Sequence, residues 1–320
     1  MTARELNEGS ERMTRAATPY GAADGLVRVY PANADPARDV ASGDANAVTD
    51  AAARRRTAAL VWAHGGGFVA GDLDMPEADW VARTFAARGI TLVSIDYRLV
   101  GDGWGRFPAG SDDVLAAWRW TLAHADELGI DASRVAIGGA SAGANLVTGA
   151  VLRLLGHDPA TEAARLPAGV FLAYPTLLDV QPDPDAALRA LLDSNPDADR
   201  FGPDAVREMY ERYLGGPTRD APLTAVPGRA AASDLAGFPP VIMVNGEADE
   251  LRVSGEAFAA TLVAAGTTVD IVIEPGTEHG HLNRPDEPAA SVSIERVVRW
   301  IAWLAAHHQT TLRITEGITP

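Results

Sequence analysis

The sequence predicts an α/β fold: a mostly parallel central sheet with helices packed on both faces. Three observations predict it. Short apolar runs of four to six residues recur along the chain, too short for helices and bounded by turn residues. Helical patterns alternate with those runs, as strand–helix–strand crossovers in a doubly wound sheet require. The chain has 320 residues, 47% hydrophobic and 22% charged, which is ordinary globular material with enough apolar side chains for a full core.

The apolar runs are Ala59–Ala63, Ile90–Ile95, Val135–Gly138, Val170–Tyr174, Val241–Asn245 and Val269–Ile273. Runs of this kind read as strands buried on both faces. The helical segments lie between them. Glu77–Arg88 comes first. Ser111–Leu128 opens on Ser-Asp-Asp, suited to the positive end of a helix, and stops at Gly129. Ala142–Leu155 stops at Gly156, and Ser254–Ala265 stops at Gly266. Ala289–His307 closes the series. The stretch from Asp179 to Phe238 breaks the rhythm. It holds no strand-like run, only two helical patterns, Asp185–Leu192 and Pro203–Leu214. A long insertion with its own helices between two sheet strands reads as a lid. Asp35–Arg56, rich in Ala, Asp and Arg, reads as a surface loop.

Composition removes several chemistries. There is no cysteine, so disulfides, thiolate metal sites, iron–sulfur clusters and a cysteine nucleophile are excluded. There is no lysine either; all 27 basic residues are arginine, which excludes a P-loop and Ser–Lys catalysis. The formal charge of −16 argues against nucleic acid and against anionic membrane surfaces. Met1–Arg15 is polar and lacks the apolar segment of a secretory signal. Val135–Leu152 is the longest uncharged stretch, but it is crowded with Gly, Ala and Ser and divides into strand, turn and helix. The expectation is a soluble, cytoplasmic protein.

Two motifs carry chemistry. Gly139-Ala140-Ser141-Ala142-Gly143 follows a strand and opens a helix. This is the setting of a nucleophile elbow, where a tight turn exposes a serine hydroxyl at the C-terminal end of the sheet. His64-Gly65-Gly66-Gly67-Phe68 follows the strand Ala59–Ala63. Three glycines let backbone N–H groups approach a developing oxyanion. His64 precedes the serine and reads as a structural hydrogen-bonding residue.

Together the two motifs resemble the hormone-sensitive-lipase family of α/β-hydrolases, the HGGG-type esterases and lipases of bacterial family IV. Asp96-Tyr97-Arg98-Leu99, Phe107-Pro108-Ala109 with Asp112-Asp113, and Ala144-Asn145-Leu146 agree with the family's pattern. The likeness runs from about Leu60 to about Leu304. It implies the α/β-hydrolase fold with a helical cap. Residues 21–180 and 236–310 would form a discontinuous catalytic core; residues 1–20 and 181–235 would form the cap.

The resemblance also implies an acid and a histidine after the serine, in that chain order. Asp249, in Asp249-Glu250-Leu251-Arg252, is similar to the family's Asp-Pro-Leu-Arg segment; Glu247 and Glu250 are rivals. His279, in Gly276-Thr277-Glu278-His279-Gly280, resembles the family's His-Gly-aromatic turn, with His281 where an aromatic is usual and as the alternative base. His307 and His308 end the last helix, a solvated and dipole-favoured position. The expected roles are Ser141 as nucleophile, His279 as base and Asp249 as its orienting partner. Backbone N–H groups of Gly66, Gly67 and Ala142 would form the oxyanion hole. No metal or organic cofactor is expected. Phe68, Tyr174, Phe201, Tyr210 and His281 are candidates for substrate contact. Trp104, Phe107, Leu177 and Tyr213 stand near the same expected mouth.

The family pattern is not complete. Ala140, Ala144, Glu250 and Val253 replace residues common in relatives, which leaves subfamily and substrate preference open. The leading expectation is hydrolysis of short- to medium-chain carboxylic esters of small molecules. An amidase, carbamate hydrolase or deacetylase of a specialised metabolite with the same triad is the alternative within enzymes. A non-catalytic small-molecule receptor on the same fold is the alternative outside them. A homodimer is the assembly the reading allows.

Overall fold

A computed structural model of the chain describes residues 18–33, 56–101, 104–157 and 165–315. Most of the expected surface loop Asp35–Arg56 and of the N-terminal part of the expected cap lies outside the described residues.

Among the described residues eight strands form one sheet in the order β1-β2-β4-β3-β5-β6-β7-β8. They are β1 (Tyr20–Ala22), β2 (Val27–Tyr30), β3 (Thr57–Ala63), β4 (Thr91–Ile95), β5 (Ile130–Ala140), β6 (Val170–Ala173), β7 (Val241–Ala248) and β8 (Val269–Glu278). From β4 to β8 every pairing is parallel; β2 joins β4 antiparallel and β1 joins β2 antiparallel. The helices are α1 (Asp79–Ala86), α2 (Ala109–Ala123), α3 (Ala142–Leu152), α4 (Ala186–Ser194), α5 (Pro203–Leu214), α6 (Arg252–Ala264) and α7 (Pro288–Thr315).

Side-chain alternation along the strands splits the core in two. Ala59, Val61 and Ala63 of β3 enter one cluster with residues of α2, α3 and α6. Leu60 and Trp62 enter the other, with Val81 and Phe85 of α1 and Ile294, Val297, Ile301 and Leu304 of α7. The α7 contacts fall at helical spacing, which lays one stripe of that helix along the sheet. Fully burying each such aliphatic side chain contributes about 1.5–3 kcal/mol. Every residue of α3 is buried, which explains why Val135–Leu152 is uncharged without crossing a membrane. No helix among the described residues is long and apolar enough to do so.

Four strands depart from the expectation. The short antiparallel strands β1 and β2 precede the first expected strand; Val27-Arg28-Val29-Tyr30 alternates apolar and polar residues over only four positions, and Tyr20–Ala22 has no such pattern. β5 begins at Ile130, five residues early, because Thr57 pairs with Ile130 before the register shifts. β8 is an edge strand, and Ile271 and Ile273 on it are exposed rather than buried on both faces.

The interval between β6 and β7 holds α4 and α5 and no strand. Asp185 caps α4 by accepting the Leu188 N–H at 2.8 Å. Pro203 opens α5 and Gly215, with φ 76°, ends it. The two helices are held differently. Val206, Tyr210 and Tyr213 of α5 join the main core. Leu188 and Leu192 of α4 form a small cluster with Ala198. The return toward β7 is pinned by Arg229, which donates from Nε to the buried Asp179 carboxylate at 2.9 Å and from Nη1 to the Thr218 carbonyl at 2.9 Å.

Candidate active site

β5 delivers the chain to Ser141 at the C-terminal edge of the sheet, and α3 starts on the next residue. Ser141 has φ 50° and ψ −116°, a conformation that non-glycine residues seldom hold and that typically costs about 1–3 kcal/mol. Its neighbours leave no room for side chains. A Cβ on Gly143 would stand 2.3 Å from the carbonyl oxygens of both Ala63 and His64. A Cβ on Gly139 would stand 2.5 Å from the Gly143 carbonyl. The turn is therefore packed directly against the end of β3.

β8 carries the chain to Glu278, and His279 follows in a turn completed by Gly280 at φ 77°. β7 ends just before Asp249. The two ends lie side by side because β7 and β8 pair in parallel as far as Ala248 and Glu278. His279 Nε2 lies 2.9 Å from Ser141 Oγ, and His279 Nδ1 lies 2.9 Å from Asp249 Oδ2. Asp249 is fully buried, and its other oxygen accepts the Leu251 N–H at 2.9 Å. The rival acids point elsewhere. Glu247 accepts the Gly276 N–H at 2.9 Å, and Glu250 accepts the Phe201 N–H at 2.8 Å. Burial raises the Glu250 carboxyl above its ordinary value. His281, the alternative base, is buried with Nε2 against Ser293 Oγ at 2.9 Å. Burial pushes it down to about 4.

The glycine loop lies beside the serine. A Cβ on Gly65 would meet Ser141 Cβ at 3.2 Å. Gly66 and Gly67 have φ 119° and 58°. Among the described residues no acceptor bonds their N–H groups, whereas the Gly65 N–H is taken by Glu77. Ala142 is the first residue of α3, so its N–H has no partner within the helix. Three free N–H groups thus belong to the segments flanking Ser141. His64 is buried; its Nδ1 sits 2.7 Å from the Gly65 carbonyl and its ring stacks on Tyr97 at 4.5 Å.

The substrate-contact candidates separate. Phe201 is half-buried, and its ring meets His279 edge-on at 4.6 Å. Tyr174 is fully buried and meets His279 at 5.0 Å. Burial first, then the Glu77 carboxylate, pushes its phenol well above the ordinary value, so it is a donor. Phe68 is buried and stacks on Tyr213 at 4.0 Å. Tyr210 is buried; its hydroxyl donates to the Thr176 carbonyl at 3.0 Å and accepts from Asn145 at 2.8 Å. Tyr174, Phe68, Tyr210 and His281 therefore spend most of their surface on packing. Trp104 is exposed, Phe107 packs edge-on against Tyr213, and Leu177 is buried. Sequence reasoning missed Glu77, Asn283 and Arg200. Arg200 donates to the His279 carbonyl at 3.3 Å. None of the three belongs to a motif, and no spacing rule points to them.

The same region is what known proteins share with this chain. A family model for the alpha/beta hydrolase fold matches residues 60–283. Carboxylesterase NlhH of Mycobacterium tuberculosis is 36% identical over 70% of this chain and 66% of its own length. Ethyl acetate hydrolase of Pseudomonas putida is 34% identical over 69% of this chain and 65% of its own. The chain thus spans just under two thirds of these relatives. Among solved structures, an esterase of Pyrobaculum calidifontis is 25% identical, with a TM-score of 0.70 over 95% of this chain and 94% of that one. The matched segment runs from the glycine loop through the elbow to the histidine turn, and the chain belongs to the α/β-hydrolase fold family, in its hormone-sensitive-lipase-like branch.

Proposed function

We propose that the chain is a serine hydrolase that cleaves carboxylic esters of short to medium acyl chain through an acyl-enzyme. One observation carries the reading: the continuous hydrogen-bonded run from Asp249 through His279 to Ser141, at 2.9 Å and 2.9 Å. Neutral serine is a poor nucleophile and needs an adjacent base. His279 takes the Ser141 proton as Oγ attacks the ester carbonyl, then gives it to the leaving alcohol. Asp249 holds the proton on Nδ1, leaving the Nε2 lone pair for Oγ, and stabilises the imidazolium. The N–H groups of Gly66, Gly67 and Ala142 bind the oxyanion. Water then frees the acid by the same steps. The names of the relatives, a carboxylesterase and an ethyl acetate hydrolase, support an ester over an amide.

In this reading residues 21–180 and 236–310 are the catalytic core, and the segment 181–235 is the cap. Phe201 is the cap residue set to touch substrate, because its ring covers His279. The partner is a small-molecule ester; nucleic acid is not one, given the −16 charge. A homodimer is supported by the two exposed isoleucines on edge strand β8, and light scattering tests it.

Activated esters from acetyl to dodecanoyl, offered to the wild type and to Ser141→Ala, test the function. Turnover strongest at short chains and a loss of about 10³-fold or more in the variant are expected. Equal turnover by both proteins sinks the serine mechanism. Tight binding of small molecules with no turnover points to a receptor instead.

A further inference from the structure

Glu77 has no place in the mechanism above, yet it sits beneath the site. Its side chain is 1% exposed. Among the described residues no arginine or histidine pairs with it. Its two oxygens instead take three neutral donors. Oε2 accepts the Gly65 N–H at 2.5 Å. Oε1 accepts the Tyr174 hydroxyl at 2.6 Å and the Asn283 side-chain amide at 2.9 Å. The backbone of Glu77 is held as well: its N–H donates to Asn283 Oδ1 at 3.2 Å, and its carbonyl accepts the Trp62 indole at 2.8 Å.

Those donors belong to three separate parts of the site. Gly65 opens the glycine loop and lies against Ser141. Tyr174 walls both His279 and His281, at 5.0 Å and 5.1 Å between rings. Asn283 ends the turn that begins at His279. One carboxylate thus joins the loop, the wall and the histidine turn.

We propose that Glu77 is a positioning residue for the reaction, whose carboxylate holds the glycine loop against Ser141 and ties that loop to the turn carrying His279. The inference rests on the ester-hydrolase reading and deepens it. The physical need is clear. A run of three glycines has no side chains to anchor it and samples many backbone conformations. Oxyanion donors help only when they are already aimed at the developing charge, within about 0.5 Å. Glu77 takes the Gly65 N–H, and among the described residues those of Gly66 and Gly67 stay free. An amide cannot replace it. The side chain meets donors only, so Gln would set an NH2 group against at least one of them. Asn283 could turn its own oxygen toward that group only by abandoning the Glu77 N–H.

The test compares wild type, Glu77→Gln, Asn283→Ala and the double variant. Steady-state hydrolysis of an activated acetyl ester is measured, with inhibition by a trifluoromethyl ketone, whose serine adduct carries the oxyanion. For Glu77→Gln we expect kcat to fall about 10- to 100-fold with KM within about threefold, and ketone affinity to weaken in step with kcat/KM. Asn283→Ala should lower kcat about three- to tenfold and add little in the Glu77→Gln background, since both act through one carboxylate. A merely structural role would lower thermal stability without weakening the ketone selectively. A folded Glu77→Gln with wild-type kcat overturns the proposal, as does a loss confined to KM. If Glu77→Gln yields no soluble protein, Asn283→Ala decides alone, and unchanged kcat overturns it. A wild type that hydrolyses no ester overturns the ester-hydrolase reading first, and is told apart by its failure before any variant is compared.

Discussion

Asp249→Asn removes one charge and almost no volume, so its effect is set by hydrogen bonding. One oxygen of the buried Asp249 accepts the Leu251 N–H at 2.9 Å, and the other faces His279 Nδ1 at 2.9 Å. A backbone N–H can only donate, so the carbonyl of the introduced amide must stay on Leu251. The amide NH2 then faces Nδ1, which must present a lone pair. The ring proton moves to Nε2 and points at Ser141 Oγ, 2.9 Å away. The base is lost while the geometry survives. A wrong tautomer in a triad costs on the order of 10⁴ in kcat. At about 1.36 kcal/mol per factor of ten, that is about 5 kcal/mol of transition-state stabilisation. KM should change by no more than about threefold, because no group touching bound ester has moved. The assay is steady-state hydrolysis of a nitrophenyl acetate, with circular dichroism to show that the fold is kept. Glu247→Gln is the control, since Glu247 bonds Gly276 and not the histidine. An Asp249→Asn enzyme within tenfold of wild type refutes the reasoning, and an equal loss in Glu247→Gln would move the orienting role to the other acid.

Three further outcomes follow from packing and titration. Gly143→Ala should cost about 3 kcal/mol or more in urea unfolding, because its Cβ would meet two rigid carbonyl oxygens at 2.3 Å; a midpoint like wild type's would contradict the tight elbow. Arg229→Leu leaves the Asp179 carboxylate buried without its cation, and a loss of about 3 kcal/mol is expected by the same measurement. His281 should make the protein acid-sensitive. Burial holds it at about 4, with Asp249 opposing and His279 and Arg284 adding, whereas an unfolded histidine titrates near 6.5. As pH falls below about 6.5 the unfolded chain takes the proton first, so stability is full above that value and is lost toward pH 4, by about 3 kcal/mol in all. Unfolding midpoints at pH 7, 5.5 and 4 should fall more steeply in wild type than in His281→Asn, and parallel curves would exclude the effect.

Features set by neighbours in sequence were the ones legible in advance. The Gly-x-Ser-x-Gly turn and the three-glycine loop read as such because steric demand acts between adjacent residues. The strand–helix rhythm read because burial imprints its period on each element. The edge character of β8 did not read, because Ile271 and Ile273 are as apolar as residues of a central strand; the sheet order, which puts β8 last among the described strands, and the exposure of both side chains show it. β1 and β2 are short, and β2, which carries β1, is placed by pairing with β4, more than sixty residues away.

Local pattern and composition are enough for the class of the protein: a parallel α/β sheet, a serine on a forced turn, a glycine loop before it, and no cysteine or lysine side chain to compete as nucleophile or base. Tertiary structure decided which side chains meet. Asp249 and not Glu247 or Glu250 faces His279, although the three acids lie within four residues, because the direction of each is set by how β7 ends beside β8. Glu77 and Asn283 are 206 residues apart and share one carboxylate beneath the site. Contacts over such separations leave no local pattern, since the free energy that selects them comes from packing the finished fold and not from the chain around either residue.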